Sequence, residues 1–283
     1  MRVIRRVKTN ARGVFGITSV DDELFVLLCR DDNQVAVYNI NDYEPLRHIH
    51  LPGFKPCLDS DMTSCARNKC LYISEARRSR IILRFDLTIK VTAMMELFTH
   101  RHISKWSVPG EPCGLSITPS RNLLVTCCKP TKLVELSAKS GRCLREITLQ
   151  SDIESPCHAI QLSELTTDQF VVCHSDLCRW RVCLVDKVGS ITRSYGGQPG
   201  SDVGQLGWPS HLAVDEDSLF IFVADGSNVV LLRQTLESVG NQYGTVVCTS
   251  TVLPLHNTSS ICRSLFARLQ PCCCETVHVD VVS

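Results

Sequence analysis

Apolar residues in this chain come in short bursts, each closed by Pro, Gly, Asn, Asp or Ser. No window sustains the i, i+3, i+4, i+7 spacing of an amphipathic helix over several turns, so the bursts predict β-strands. One phrase recurs. A Pro or Gly leads into a short apolar strand, a polar turn follows, then a strongly apolar run, a short loop and a second β-branched run. The clearest copy is Pro209-Ser210-His211-Leu212-Ala213-Val214-Asp215, then Leu219-Phe220-Ile221-Phe222-Val223-Ala224-Asp225, then Val229-Val230-Leu231-Leu232.

Pro112-Cys113-Gly114-Leu115-Ser116-Ile117 and Pro156-Cys157-His158-Ala159-Ile160 open two further copies. Two looser ones open at Gly16-Ile17 and at Pro56-Cys57-Leu58. The third strand of each copy ends at Tyr38, Phe85, Leu136, Val185 and Leu232, at intervals of 47, 51, 49 and 47 residues. Near-equal intervals of three or four short strands predict propeller blades. The expected fold is therefore all-β: a β-propeller with five recognisable blades of a six-bladed ring. Residues 91–98 are the one stretch that reads as a short helix, ahead of an outer strand at Lys105–Val108.

The run from Tyr195 to Pro209 (Tyr-Gly-Gly-Gln-Pro-Gly-Ser-Asp-Val-Gly-Gln-Leu-Gly-Trp-Pro) continues into His-Leu-Ala-Val-Asp and Phe-Val-Ala-Asp-Gly-Ser-Asn. It resembles an NHL repeat. The match is specific over 195–232, moderate at 112–150 and 156–195, and weak before that. The resemblance implies a propeller, usually six-bladed, that binds proteins or RNA, as in the C-terminal half of TRIM-type ubiquitin ligases. No RING, B-box or coiled-coil pattern accompanies it, so ligase chemistry is not expected within this chain. Asp225 and Asn228 flank a turn where side-chain oxygens can bind backbone amides, a structural role.

Two segments are expected: 1–244, the NHL-like propeller with a possible N-terminal closing strand in residues 2–8, and 245–283, an atypical Cys-rich tail or incomplete sixth blade. The tail carries only Arg263, Arg268, Glu275 and Asp280 as charges and lacks the repeat phrase, which marks it as foreign to the repeat. Within it, Val277-His278-Val279-Asp280-Val281 alternates as a strand would.

The 283 residues carry 30 Lys+Arg against 29 Asp+Glu, a formal net charge of +1. That balance argues against a strongly basic nucleic-acid coat. At 44% hydrophobic and 21% charged the chain is not expected to be disordered. No apolar run is long enough for a transmembrane helix and no signal peptide is read at the start, so the expectation is a cytoplasmic protein without membrane contact. The 17 cysteines are then expected as thiols, mostly small buried hydrophobes. No Cys-x-x-Cys pair occurs. Cys173, His174, Cys178 and Cys183 can be drawn as a metal cluster, but their spacing is irregular and they sit in alternating strands. Cys272-Cys273-Cys274 cannot easily turn three side chains to one ion.

Hydrolase and nucleotide-binding motifs are absent. Asn257-Thr258-Ser259 is a formal sequon without an expected secretory route. A propeller hydrolase would hold a divalent ion with carboxylates at the ends of its inner strands. Asp59, Asp61 and Asp215 are the candidates by position, each with an ordinary turn or strand-end explanation. The expectation is no enzyme, no cofactor, no metal and no small-molecule substrate.

By propeller geometry the loops between second and third strands share one face. They carry Arg30, Arg77, Arg78, Arg80, Lys129, Lys132, Arg179 and Arg181 against Asp31, Asp32, Glu75, Asp176 and Asp225. This mildly basic rim is the expected binding surface. Its occupant would be a protein partner, of the kind a ubiquitin ligase recognises as substrate. The alternatives are single-stranded RNA on the same rim, with Trp180 as a stacking or seam-covering residue, and a metal-dependent hydrolase or lactonase.

Overall fold

In the computed structural model, the described residues are 3–9, 14–28, 34–51, 54, 60–75, 79–88, 103–162, 168–176, 179–200, 204–215, 220–225, 228–233, 250–254 and 277–282. All regular structure among them is β. Five four-stranded antiparallel sheets follow one another along the chain, each ordered as its strands occur.

The first comprises β2 (Val14–Val20), β3 (Glu23–Leu28), β4 (Gln34–Asn39) and β5 (Pro45–His50). The second comprises β6 (Met62–Cys65), β7 (Cys70–Glu75), β8 (Ile81–Asp86) and β9 (Ile103–Ser107). The third is β10 (Glu111–Ile117), β11 (Leu123–Lys129), β12 (Thr131–Leu136) and β13 (Cys143–Thr148). The fourth is β14 (Pro156–Gln161), β15 (Phe170–Asp176), β16 (Arg179–Val185) and β17 (Ile191–Gly196). The fifth is β18 (Pro209–Asp215), β19 (Phe220–Asp225), β20 (Asn228–Arg233) and β21 (Ser250–Pro254). The protein is an all-β propeller.

β1 (Val3–Thr9) pairs antiparallel with β22 (Val277–Val282), joining the two ends of the chain in a two-stranded sheet. The alternating run at 277–281 thus forms a strand, and the N-terminal strand finds a C-terminal partner. The segment set apart from 245 onward also supplies the fifth sheet, since residues 250–254 form its outer strand. The helix expected at 91–98 and the triple cysteine at 272–274 lie outside the described residues.

Burial follows position within the sheet. The second strands are packed by neighbouring sheets on both faces, so they are apolar almost throughout: Leu71, Tyr72 and Ile73, or Leu123, Leu124 and Val125, are at most 1% exposed. Full burial of each such side chain contributes about 1.5–3 kcal/mol. The outer strands β5 and β13 share one pattern, with Ile49 and Ile147 as their single buried residues. That is why hydrophobicity marks the inner strands clearly and the outer ones poorly.

Six of the nine described cysteines (Cys65, Cys70, Cys113, Cys127, Cys173 and Cys183) are buried thiols. Burial pushes Cys183 up to about 11 and Cys127 up to about 12. These thiols therefore stay protonated and behave as small apolar residues. Cys173 and Cys183 belong to different core clusters, so they form no joint metal site with His174. His174 instead accepts a hydrogen bond from Arg181 Nε at 3.2 Å.

Candidate functional site

Two places gather polar or aromatic chemistry: the axis, where innermost strands converge, and the rim above it.

The axis is built from one repeated register position. On four inner strands the pairing skips a residue at the start and resumes at Gly16, Gly114, His158 and His211. These face Leu27, Thr126, Cys173 and Ala224 of the second strands. In the second sheet Met62 faces Ile73, and Ser74 N donates to Asp61 O at 2.9 Å, which puts Asp61 at the same position. The five equivalent residues are thus Gly16, Asp61, Gly114, His158 and His211. Two lack side chains, and the other three converge.

Asp61, His158 and His211 bring one donor atom each to within 4.8 Å of one another. Asp61 and His158 are 0% and 2% exposed. Asp61 Oδ1 accepts from Met62 N at 2.6 Å, and Oδ2 accepts from Leu115 N at 2.8 Å. His158 Nε2 donates to Leu115 O at 3.0 Å and lies 3.8 Å from Asp61 Oδ2. Leu115 therefore has both backbone polar groups taken by side chains of neighbouring sheets, and the cluster ties the second, third and fourth sheets together. The His158 and His211 rings are in contact, with centroids 3.8 Å apart.

Of the three carboxylates expected at inner-strand ends, Asp61 alone is at this centre. Asp59 lies outside the described residues. Asp215 closes β18 four residues beyond His211, about 13 Å along the strand at 3.3 Å per residue. The histidines were not expected. Each stands directly after a Pro-Cys or Pro-Ser pair, and that repeated place was the signal available for them. Gly114 is held to glycine by packing: a Cβ there would lie 2.4 Å from Cys157 O and 2.8 Å from His158 Cα.

The second-strand residues opposite the axial positions lie one to three residues from the ends of their strands, so the axial residues neighbour the rim face. Of the basic residues expected there, Arg30, Arg77 and Arg78 fall outside the described residues. Arg80, Lys129 and Arg179 are exposed. Lys132 is turned back into its own sheet: it is 9% exposed, with Nζ 2.6 Å from Glu146 Oε2. Arg181 is occupied with His174 and with Asp152 O, the latter at 2.7 Å.

The rim also carries a tryptophan pair. Trp208 is 60% exposed. It lies against the half-buried Trp180, with ring centroids 6.4 Å apart. Its backbone is fixed by Asp225, whose carboxylate accepts from Gly207 N at 2.8 Å and from Trp208 N. Burial raises the Asp225 carboxyl above its usual range, and these two amide bonds offset only part of that rise. The structural role expected of Asp225 is visible in these contacts. The loop before Trp208 is bonded to itself, Leu206 N to Gln198 O and Gly200 N to Leu206 O. Leu206 is fully buried in the adjoining core. Gly196, at φ +91°, starts this loop where a Cβ would meet Trp180 O at 2.4 Å.

No protein-family model matches this sequence, and no curated protein matches it. Solved β-propeller structures do. Hydrazine synthase of Kuenenia stuttgartiensis aligns with 89% of this chain and 68% of its own, at 16% identity and TM-score 0.55. Virginiamycin B lyase of Staphylococcus aureus aligns over 91% and 76%, at 14% identity and TM-score 0.56. A Bacteroides thetaiotaomicron protein of unknown function aligns over 87% and 62%, at 14% identity and TM-score 0.56. At these identities the likeness is one of fold: the chain is built as a β-propeller.

Proposed function

We propose that this protein is a non-enzymatic binding platform that docks a protein partner on the rim of its fourth and fifth sheets. The observation that carries this reading is the exposed Trp208, held in place from below and backed by Trp180. Tryptophan and arginine dominate the energetic centres of protein interfaces, and a pre-positioned side chain loses little entropy on docking. Arg179, exposed, precedes Trp180 at the start of the same strand and adds a cation to this part of the rim. The NHL-like phrase over 195–232 runs through this patch, and it suggests a target of a ubiquitin ligase as the class of partner. Cytoplasmic residence belongs to the same reading. Among the described residues no helix is long and apolar enough to cross a membrane.

The test is affinity capture with the full chain, quantified against Trp208→Ala. An exposed side chain away from the core changes stability by less than about 0.5 kcal/mol, so the variant folds. Its captured partner should fall about 30-fold, as for a truncated interface anchor worth about 2 kcal/mol. Equal capture by both proteins contradicts the reading.

A second reading is single-stranded RNA on the same rim, favoured by the tilted Trp180–Trp208 pair and the exposed Arg179. It requires affinity for a labelled oligopyrimidine that falls steeply with salt and drops in Arg77→Glu with Arg78→Glu.

A further inference from the structure

We propose that Asp61, His158 and His211 form a mononuclear site for a divalent transition-metal ion of the zinc class, on the propeller axis and separate from the rim.

The three residues come from three different sheets and occupy one register position, so the architecture itself makes them converge. Their chemistry is two imidazoles and one carboxylate. That donor set suits Zn²⁺, Co²⁺ or Ni²⁺ and is too nitrogen-rich for Mg²⁺ or Ca²⁺. Three protein ligands leave a fourth position for water or an anionic oxygen.

The supporting bonds are those of a ligating set. Asp61 is oriented by two backbone amides, Met62 N and Leu115 N. His158 donates Nε2–H to Leu115 O, which fixes the ring, so that ligation falls to Nδ1. The His158 and His211 rings are in contact, which brings the two imidazoles to one place on the axis.

The donor atoms lie within 4.8 Å of one another. Tetrahedral zinc with bonds of about 2.0–2.1 Å needs separations near 3.3 Å, so binding draws the ligands inward by about an ångström. His211 is the half-buried member and has the most room to move.

The experiment uses the full chain purified with chelator, then titrated with Co²⁺ and with Zn²⁺. Cobalt is chosen because this chain also holds 17 cysteines. A nitrogen–oxygen site gives visible d–d bands without thiolate-to-cobalt charge transfer, whereas cysteine binding gives the charge-transfer band. The expected result is one tight Co²⁺ per chain without that band, displaced by Zn²⁺. His211→Ala and Asp61→Asn should each weaken it at least 10-fold, and Lys129→Ala should leave it unchanged. Zinc should raise the thermal midpoint of the wild type and EDTA should reverse this, a readout that does not depend on either variant folding. Absence of binding, a spectrum dominated by thiolate, or retention of the site in folded His211→Ala overturns the proposal.

Discussion

Replacing Asp61 by alanine is expected to cost about 2–6 kcal/mol of folding stability in chelator-treated protein, the scale of abandoning two buried backbone donors. The side chain is fully buried and accepts from two backbone amides. Removing it leaves Met62 N–H and Leu115 N–H without this acceptor. Each buried donor so abandoned costs about 1–3 kcal/mol. The damage crosses sheets, because Asp61 belongs to the second and Leu115 to the third. Denaturant unfolding of the wild type and the variant, each in EDTA, checks this. A change below about 1 kcal/mol would mean that the carboxylate is solvated instead of built into the axis.

Gly114→Ala is the second large effect, and it acts by crowding. The added Cβ would meet Cys157 O at 2.4 Å and His158 Cα at 2.8 Å. Both obstacles are backbone, so no rotamer change relieves them. The fourth sheet must move away from the third, which also stretches the bond from His158 to Leu115 O. Overpacking of this kind costs about 1–3 kcal/mol, and more where backbone faces backbone. Gly16→Ala is a useful comparison at the same register position. There the obstacles are Met62 Cβ at 2.9 Å and Met62 N at 3.1 Å, a less severe approach. Thermal unfolding should therefore rank the variants with Gly114→Ala lowest, Gly16→Ala between and wild type highest. The reverse order would contradict the packing of the third sheet on the fourth.

Most of the fold was legible because its strongest signal is local. Second strands such as Leu123–Lys129 and Phe220–Asp225 are apolar on both faces, so they stand out wherever they occur. The Pro-led inner strands of the third, fourth and fifth sheets stood out for the same reason. The second sheet misled. Pro56-Cys57-Leu58 imitates the opening phrase of a blade, but the inner strand is Met62–Cys65, with Asp61 at its axial position. That offset hid the correspondence of Asp61 with His158 and His211. A metal or clasp residue is recognisable in a repeat only when the repeats are aligned to the residue. Outer strands escaped for a different reason, since β5 and β13 each bury one side chain and resemble polar loops. Lys132 reads as a rim cation in sequence, yet its partner Glu146 lies across the sheet pairing, 14 residues on, where no local pattern reveals it.

The convergence of separate repeats on one axis can be measured as an energy. Asp61 and His158 are 97 positions apart in sequence, yet both hold Leu115 from neighbouring sheets. A double-mutant cycle of Asp61→Asn with His158→Gln, read by denaturant unfolding in EDTA, should return a coupling of about 0.5–3 kcal/mol, as for residues in one hydrogen-bonded network. Additivity to within about 0.3 kcal/mol would place the two side chains in independent surroundings and contradict an axial meeting of the second and fourth sheets.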